Sequence, residues 1–252
     1  MNEQRIALIT GGSRGLGKDM AMQIASKGID VIITYRTKEA EAKEVVNAIR
    51  STGRKAAALF LDMNAFGELD AFLTTLKTTL AQEFNSETVD CLINNAGMGA
   101  TVAFENVDET VFNEFMNVHY KSVFFLTQKI VPMMPSGATI INISSSTTAY
   151  AVPGYSVYAS LKGAIEVFTK YLAFELGKKG IRANAVAPGP VETDFNNAAI
   201  RSNPDRKKYL GSLSPLNRVG QADDIGSVVA FLCTEESKWI NGQIIKVNGG
   251  LV

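Results

Sequence analysis

Short apolar runs, each followed by a stretch of helical periodicity, constrain this chain more than any other feature. The runs lie at residues 6–10, 31–35, 56–61, 89–93, 139–143, 181–187 and 243–247. Runs of this length and composition are strands buried on both faces, as in a parallel sheet. Between them the spacing predicts helices. One carries Met20, Ile24 and Ala25 on one side and ends near Gly28. Others span 39–51 and 69–84, the latter with Phe72, Leu76 and Leu80 in register. A long helix from about Glu109 to Val131 is stopped by Pro132 and Pro135. Two more carry Tyr158, ending at about Lys178, and residues 223–233. This alternation predicts an α/β fold, a doubly wound parallel sheet of about seven strands with helices on both faces. No linker, low-complexity tract or repeat breaks the pattern, so residues 1–252 read as a single domain.

Composition narrows the function. Lysine plus arginine number 25 and aspartate plus glutamate 25, so the net charge is zero. That argues against a nucleic-acid surface and gives no reason to expect a membrane one. No apolar run is long enough to cross a bilayer. Residues 1–5 pass straight into the first strand and lack the apolar core of a signal peptide. Cys91 and Cys233 lie far apart without metal-ligand spacing, and read as buried thiols in a reducing cytoplasm. His119 is the only histidine, so any metal site or triad built on histidine would have to use it.

The first strand ends at Gly11-Gly12-Ser13-Arg14-Gly15-Leu16-Gly17, and a helix follows. Glycines let a backbone approach a pyrophosphate, and a helix N-terminus supplies free N–H groups and a positive dipole. In open parallel sheets ligands sit at the carboxyl ends of the strands, where this loop lies. An acidic residue closing the second strand would hold the adenosine ribose of NAD. Here that position is Tyr35, followed by Arg36. No carboxylate opposes a 2′-phosphate, and Arg14 and Arg36 can both bind one, which favours NADP(H).

Tyr158 and Lys162 stand four apart on a predicted helix and share a face. A tyrosine ionises near pH ~10 and is a poor proton donor at neutrality. A nearby cation lowers that value, and a shift of about 3 units takes about 4 kcal/mol. One charge pair about 4 Å apart at an effective dielectric of about 20 is of that size.

Further motifs lie between these two. Asp62 follows the third strand, Asn94-Asn95-Ala96-Gly97 closes the fourth, Ser144-Ser145-Ser146 the fifth, and Pro188-Gly189 the sixth. With the glycine loop, Tyr158-x-x-x-Lys162 and the terminal Val247-Asn248-Gly249-Gly250, the order and spacing resemble the short-chain dehydrogenase/reductase superfamily over essentially the whole chain. The branch most similar is that of 3-oxoacyl-acyl-carrier-protein reductases and related carbonyl reductases. The resemblance implies a Rossmann-type fold and an NADP(H)-dependent carbonyl reductase. It selects Ser145, thirteen positions before Tyr158, as the residue that hydrogen-bonds the substrate oxygen. Tyr158 is then the general acid, and Lys162 binds the nicotinamide ribose and lowers the tyrosine pKa. The glycine loop binds the pyrophosphate, Asp62 and Met63 meet the adenine, Asn95-Ala96-Gly97 the neighbouring ribose, and Val191 and Thr193, after Pro188-Gly189, the carboxamide. Asn95 also reads as a strand-end turn residue, and Thr193 as a helix N-cap.

The family commonly places a fourth catalytic residue, an asparagine, where this chain has His119. A histidine there either holds the water that links the lysine to solvent, and titrates near neutrality, or is simply packed in the core. Asn117, two residues earlier, points elsewhere. Residues 194–214 are expected to form a mobile substrate loop, with Arg201, Arg206, Lys207 and Lys208 available to an acidic carrier or phosphopantetheine. The helices bearing Phe112, Phe115, Val123, Phe124 and Phe125, and Val167, Phe168, Tyr171 and Phe174, are apolar on more than one side. One sheet covers one face, and a homodimer or homotetramer would cover the other. The substrate is a small-molecule or acyl-thioester carbonyl. An NAD-dependent alcohol dehydrogenase and a cofactor-binding protein without catalysis are the alternatives.

Overall fold

The computed structural model describes residues 4–252; residues 1–3 of the expected lead-in lie outside the described residues. Strands and helices alternate as β1 (Ile6–Ile9), α1 (Gly15–Ser26), β2 (Asp30–Tyr35), α2 (Glu39–Arg50), β3 (Ala56–Phe60), α3 (Leu69–Thr79), β4 (Cys91–Asn94), α4 (Glu109–Met116), α5 (Ser122–Ile130), β5 (Thr139–Ile143), α6 (Ser156–Leu176), β6 (Arg182–Pro188), α7 (Phe195–Ala198), α8 (Pro204–Ser212), α9 (Ala222–Leu232) and β7 (Ile244–Val247). The sheet is wholly parallel, in the order β3-β2-β1-β4-β5-β6-β7. This is the Rossmann-type α/β fold expected from the alternating runs. Among the described residues no helix is long and apolar enough to cross a membrane.

Alternate strand residues feed two cores, one on each face of the sheet. Ile6, Leu8, Leu92 and Ile140 pack with Phe72 and Leu76 of α3, Leu126 and Ile130 of α5, and Ile165 and Leu172 of α6. Ala7, Ile9, Ile93 and Ile141 pack with Met20 and Ile24 of α1, Val45 and Ile49 of α2, and Ile225 and Val229 of α9. Both faces are therefore apolar, and the strands carry continuous apolar runs for that reason. Cys91 and Cys233 are free and buried in the second core.

The expected long helix over 109–131 is interrupted. A π turn at Asn117–Lys121 separates α4 from α5. The extra residue in the turn rotates Val118 and His119 inward and lets Ser122 Oγ donate to Met63 O at 2.6 Å. Asn117 points away and donates to Asn64 Oδ1 at 3.1 Å. Such insertions concentrate at functional sites.

Candidate functional site

The order in which strands are added reverses between β1 and β4, and a cavity of about 390 Å³ opens at the carboxyl ends of these strands. Every sequence-predicted site residue lines it: the loop residues Gly11, Ser13, Arg14, Gly15, Leu16 and Gly17; Tyr35, Arg36, Asp62 and Met63; Asn95, Ala96 and Gly97; His119, Ser145, Tyr158 and Lys162; and Pro188, Gly189, Val191 and Thr193.

One end of the cavity is a cradle. Gly11 has φ +69°, in the left-handed region, and a Cβ on Gly17 would collide with the Gly11 carbonyl oxygen. Neither position accepts a larger residue without moving the loop. Arg14 caps α1 with no side-chain hydrogen bond, and no acidic residue stands in the first turn. The helix N–H groups therefore meet the cavity without a competing carboxylate. Asn95 donates to Thr10 O at 2.9 Å and Gly11 O at 3.1 Å, while Thr10 Oγ1 accepts from the N–H groups of Asn95 and Ala96 at 3.0 and 2.9 Å. Both amide protons of Asn95 thus brace the loop, the turn role considered for it from sequence, and only its Oδ1 is left for a ligand.

Arg36 lies at the rim, its Nη1 3.9 Å from Asp62 Oδ1, with side chains 54% and 28% exposed. A pair this open is weak, so the guanidinium stays available to an anion. Arg14 lines the same end, and the carboxylate that would contact a ribose is replaced by Tyr35. Backbone donors for a pyrophosphate and two arginines for a 2′-phosphate fit a dinucleotide phosphate.

The other end holds Ser145, Tyr158, Lys162 and His119. Lys162 is buried on α6 and donates to Ile143 O at 2.7 Å. Its Nζ stands 5.6 Å from the centre of the Tyr158 ring. Tyr158 is pushed up to about 12 by burial, while the Ser145 hydroxyl, its hydrogen-bond partner, pulls the other way. The expected lowering of the tyrosine by the lysine is not found. The ammonium lies over the ring and on a carbonyl, and exclusion of water outweighs it. Burial lowers Lys162 itself to about 8.

His119 is packed in the core, and the expected titration near neutrality is not found. Burial first, and then the Lys162 charge, lower it to about 3, so it does not titrate near neutrality. Its Nε2 is 2.8 Å from Met98 O and 3.4 Å from Met98 N. The shorter contact makes Nε2 the protonated nitrogen, donating to the carbonyl. Nδ1 is then an acceptor, and it has no partner among the described residues. The ring meets the Tyr158 ring edge-on, with centroids 5.2 Å apart.

The segment after Pro188-Gly189 folds over the cavity. The Phe195 ring is 6.0 Å from that of Tyr158, and Asn196 Nδ2 donates to Tyr155 Oη at 3.1 Å. Thr193 Oγ1 accepts from Phe195 N at 3.3 Å, a turn contact one residue ahead of the N-cap, which is Asp194 and not Thr193. Of the expected carrier-binding cations, Arg201 pairs with Asp194 at 2.7 Å and Lys207 with Glu192 at 2.8 Å. Arg206 lines the cavity. Sequence reasoning missed Tyr150, Tyr155 and Met98 on the cavity wall. The two tyrosines lie between the serine run and Tyr158, a pattern that could have marked them.

A nucleotide cradle at the sheet's switch point, with a half-buried tyrosine and a buried lysine beside it, defines a dinucleotide-dependent oxidoreductase. The family described as enoyl-(acyl carrier protein) reductase matches residues 11–252. A hydroxynaphthalene reductase-like protein of Metarhizium anisopliae is 34% identical over 259 residues, covering 98% of this chain and 95% of the relative. Among solved structures, the reductase LugOII, which catalyses a keto-reduction in lugdunomycin biosynthesis, superposes with TM-score 0.93 at 34% identity over 98% of this chain and 97% of that one. The angucycline C-6 ketoreductase LanV with bound NADP also gives TM-score 0.93 at 34% identity, over 98% and 95%. The chain belongs to the short-chain dehydrogenase/reductase superfamily and is an oxidoreductase.

Proposed function

We propose that this protein is an NADP(H)-dependent ketone reductase with Ser145, Tyr158 and Lys162 as its catalytic residues. The observation that carries the reading is Tyr158 on the cavity wall beside Ser145, its hydroxyl kept protonated and Lys162 Nζ 5.6 Å from its ring centre. Tyr158 donates its proton to the substrate oxygen. Ser145 hydrogen-bonds that oxygen as negative charge develops. Lys162 binds the nicotinamide ribose and puts a positive charge behind the tyrosine. His119 stays neutral, and its unpartnered Nδ1 is the acceptor for a water linking Lys162 to solvent. NADPH, when bound, supplies the hydride.

For the cofactor, the glycine loop holds the pyrophosphate, Arg14 and Arg36 the 2′-phosphate, Asp62 and Met63 the adenine, and Asn95, Ala96 and Gly97 the neighbouring ribose. Val191 and Thr193, after Pro188-Gly189, hold the carboxamide. Residues 194–214 close over the substrate. Ala198 has φ +56°, in the left-handed region, which costs about 1–2 kcal/mol and favours rearrangement there.

Two observations favour a fused-ring aromatic ketone as substrate. The wall is aromatic, with Tyr150, Tyr155 and Phe195 around Tyr158. The similar proteins include a hydroxynaphthalene reductase-like protein and LanV, solved also with NADP and rabelomycin. A 3-oxoacyl thioester is the second reading, favoured by Arg206 on the cavity and by the carrier-protein substrate of the matched family. The test is NADPH and NADH oxidation with a panel of bicyclic aryl ketones, aliphatic ketones and 3-oxoacyl thioesters. Turnover with aryl ketones and NADPH is expected; turnover with none of the panel sinks the reading. In the same assay Arg36→Asp raises the KM for NADPH about 10- to 100-fold, the worth of a charge-assisted hydrogen bond, and barely moves that for NADH. Equal effects on both would refute the 2′-phosphate contact.

A second copy of this chain covers the outer face of α6. Val167, Tyr171 and Phe174 are 53%, 63% and 86% exposed along one stripe, with Phe112 of α4 exposed as well. A contiguous apolar stripe of this kind marks an interface. Sedimentation at the monomer mass would end this proposal. The two free, buried thiols suit a reducing compartment such as the cytoplasm.

A further inference from the structure

The serine run before Tyr158 is held by its own side chains. Ser144 Oγ donates to Glu166 Oε1 at 2.7 Å, and Thr148 Oγ1 donates to the same oxygen at 2.9 Å. Ser146 Oγ donates to Ala187 O at 3.3 Å. These bonds to α6 and β6 pin the chain on either side of Ser145. The hydroxyls of Ser145 and Thr147 are left, and both residues line the cavity. Thr147 donates to Ser145 Oγ twice, from its N–H at 3.2 Å and its Oγ1 at 2.9 Å. A hydroxyl has two lone pairs and one proton. Both lone pairs of Ser145 are taken by Thr147, so the proton that it turns toward the Tyr158 oxygen is the one group it has to give a substrate oxygen.

We propose that Thr147 is a positioning residue that fixes Ser145 Oγ as a hydrogen-bond donor to the substrate oxygen. This rests on the assignment of Ser145 as the donor at that oxygen. A carbonyl oxygen accepts and never donates, and so does the alkoxide it becomes. A freely rotating serine would spend part of its time presenting a lone pair to that oxygen, which is repulsive. Thr147 removes those orientations before the reaction, so no reorganisation is needed as charge develops. Hydrogen bonds received at the serine oxygen also make its own proton a better one to donate. Thr147 acts through Ser145 and does not touch the reacting atoms.

The test compares Thr147→Val, which keeps the shape and the N–H, with Thr147→Ser, which keeps the hydroxyl. Ser145→Ala and the Ser145→Ala/Thr147→Val double variant complete a cycle. Steady-state kinetics use the best ketone of the panel, with NADPH binding by fluorescence and thermal unfolding as readouts of site and fold. Thr147→Val is expected to lower kcat about tenfold, the worth of one hydrogen bond, and to leave KM and NADPH binding within about twofold. Thr147→Ser restores kcat. Ser145→Ala costs about 10²- to 10³-fold, and adding Thr147→Val to it costs nothing more. If valine does not fold, Thr147→Ala takes its place. A valine variant as active as the parent, a serine variant as poor as valine, or additive losses in the double variant each overturn the proposal. A fully active Ser145→Ala overturns the donor assignment and this proposal with it, and is told apart by that variant alone.

Discussion

Tyr158→Phe is expected to lower ketone reduction by about 10³-fold or more, while NADPH binding and thermal stability stay near those of the parent. The phenyl ring keeps the packing, because the Tyr158 ring already stands against His119, Tyr155 and Phe195 with centroids 5.2, 5.9 and 6.0 Å away. Only the hydroxyl is lost, and with it the proton that must reach the substrate oxygen. Pushed up to about 12, that hydroxyl is protonated throughout the neutral range and does not limit the rate there. Lys162 does titrate in reach, at about 8. Its folded value lies below the ordinary lysine value, so its charge is present below about pH 8 and lost above it. The rate of reduction should therefore fall as pH rises through about 8, two units earlier than an exposed lysine would dictate. A pH profile of kcat/KM measures this. A flat profile to pH ~10 would remove Lys162 charge from the mechanism, and a Tyr158→Phe enzyme with parental activity would remove the tyrosine.

The parts of this site legible in sequence are those that depend on local spacing. The apolar run before Gly11-x-x-x-Gly15-x-Gly17 located the cradle, since only a strand, a tight turn and a helix satisfy that order. The i, i+4 spacing put Tyr158 and Lys162 on one helix face, and they are together in the fold. What depends on burial was not legible. Spacing predicts that a lysine lowers a tyrosine, but it does not say how far each loses hydration in the fold, which raises one and lowers the other. The π turn at Asn117–Lys121 was equally silent, because one inserted residue leaves the apolar periodicity of 109–131 almost unchanged. Glu192, Asp194 and Asp205 interleave with the cations of residues 194–214. Arg201 and Lys207 are neutralised by Asp194 and Glu192, which chain order alone could not pair. Ser145 was chosen among three serines by resemblance, whereas the structure distinguishes it by hydrogen bonding: its neighbours' hydroxyls are spent on Glu166 and Ala187.

Acidification should destabilise this protein through His119, and His119→Asn should remove that part of the loss. The imidazole is 1% exposed, and its protonated form is opposed by burial and by the Lys162 charge, which hold it at about 3. The unfolded chain takes up a proton at the ordinary value near ~6.5. Below that value the unfolded state binds a proton that the folded state refuses, so stability is full above about pH 6.5 and is lost as pH falls toward 3. The slope is at most about 1.4 kcal/mol per pH unit, which makes about 2–3 kcal/mol at pH 4.5. Denaturant unfolding of parent and His119→Asn at pH 7 and pH 4.5 isolates this contribution, because the carboxylates are common to both. Equal losses in the two proteins would mean that the imidazole accepts a proton inside the fold. Activity probes the same atom differently. With Nε2–H given to Met98 O, Nδ1 faces inward as a bare acceptor, and an asparagine oxygen can do the same work. His119→Asn should therefore stay within a few-fold of the parent, while His119→Leu, which packs but accepts nothing, should fall about tenfold or more. A leucine variant with full activity would leave His119 a packed core residue and nothing else.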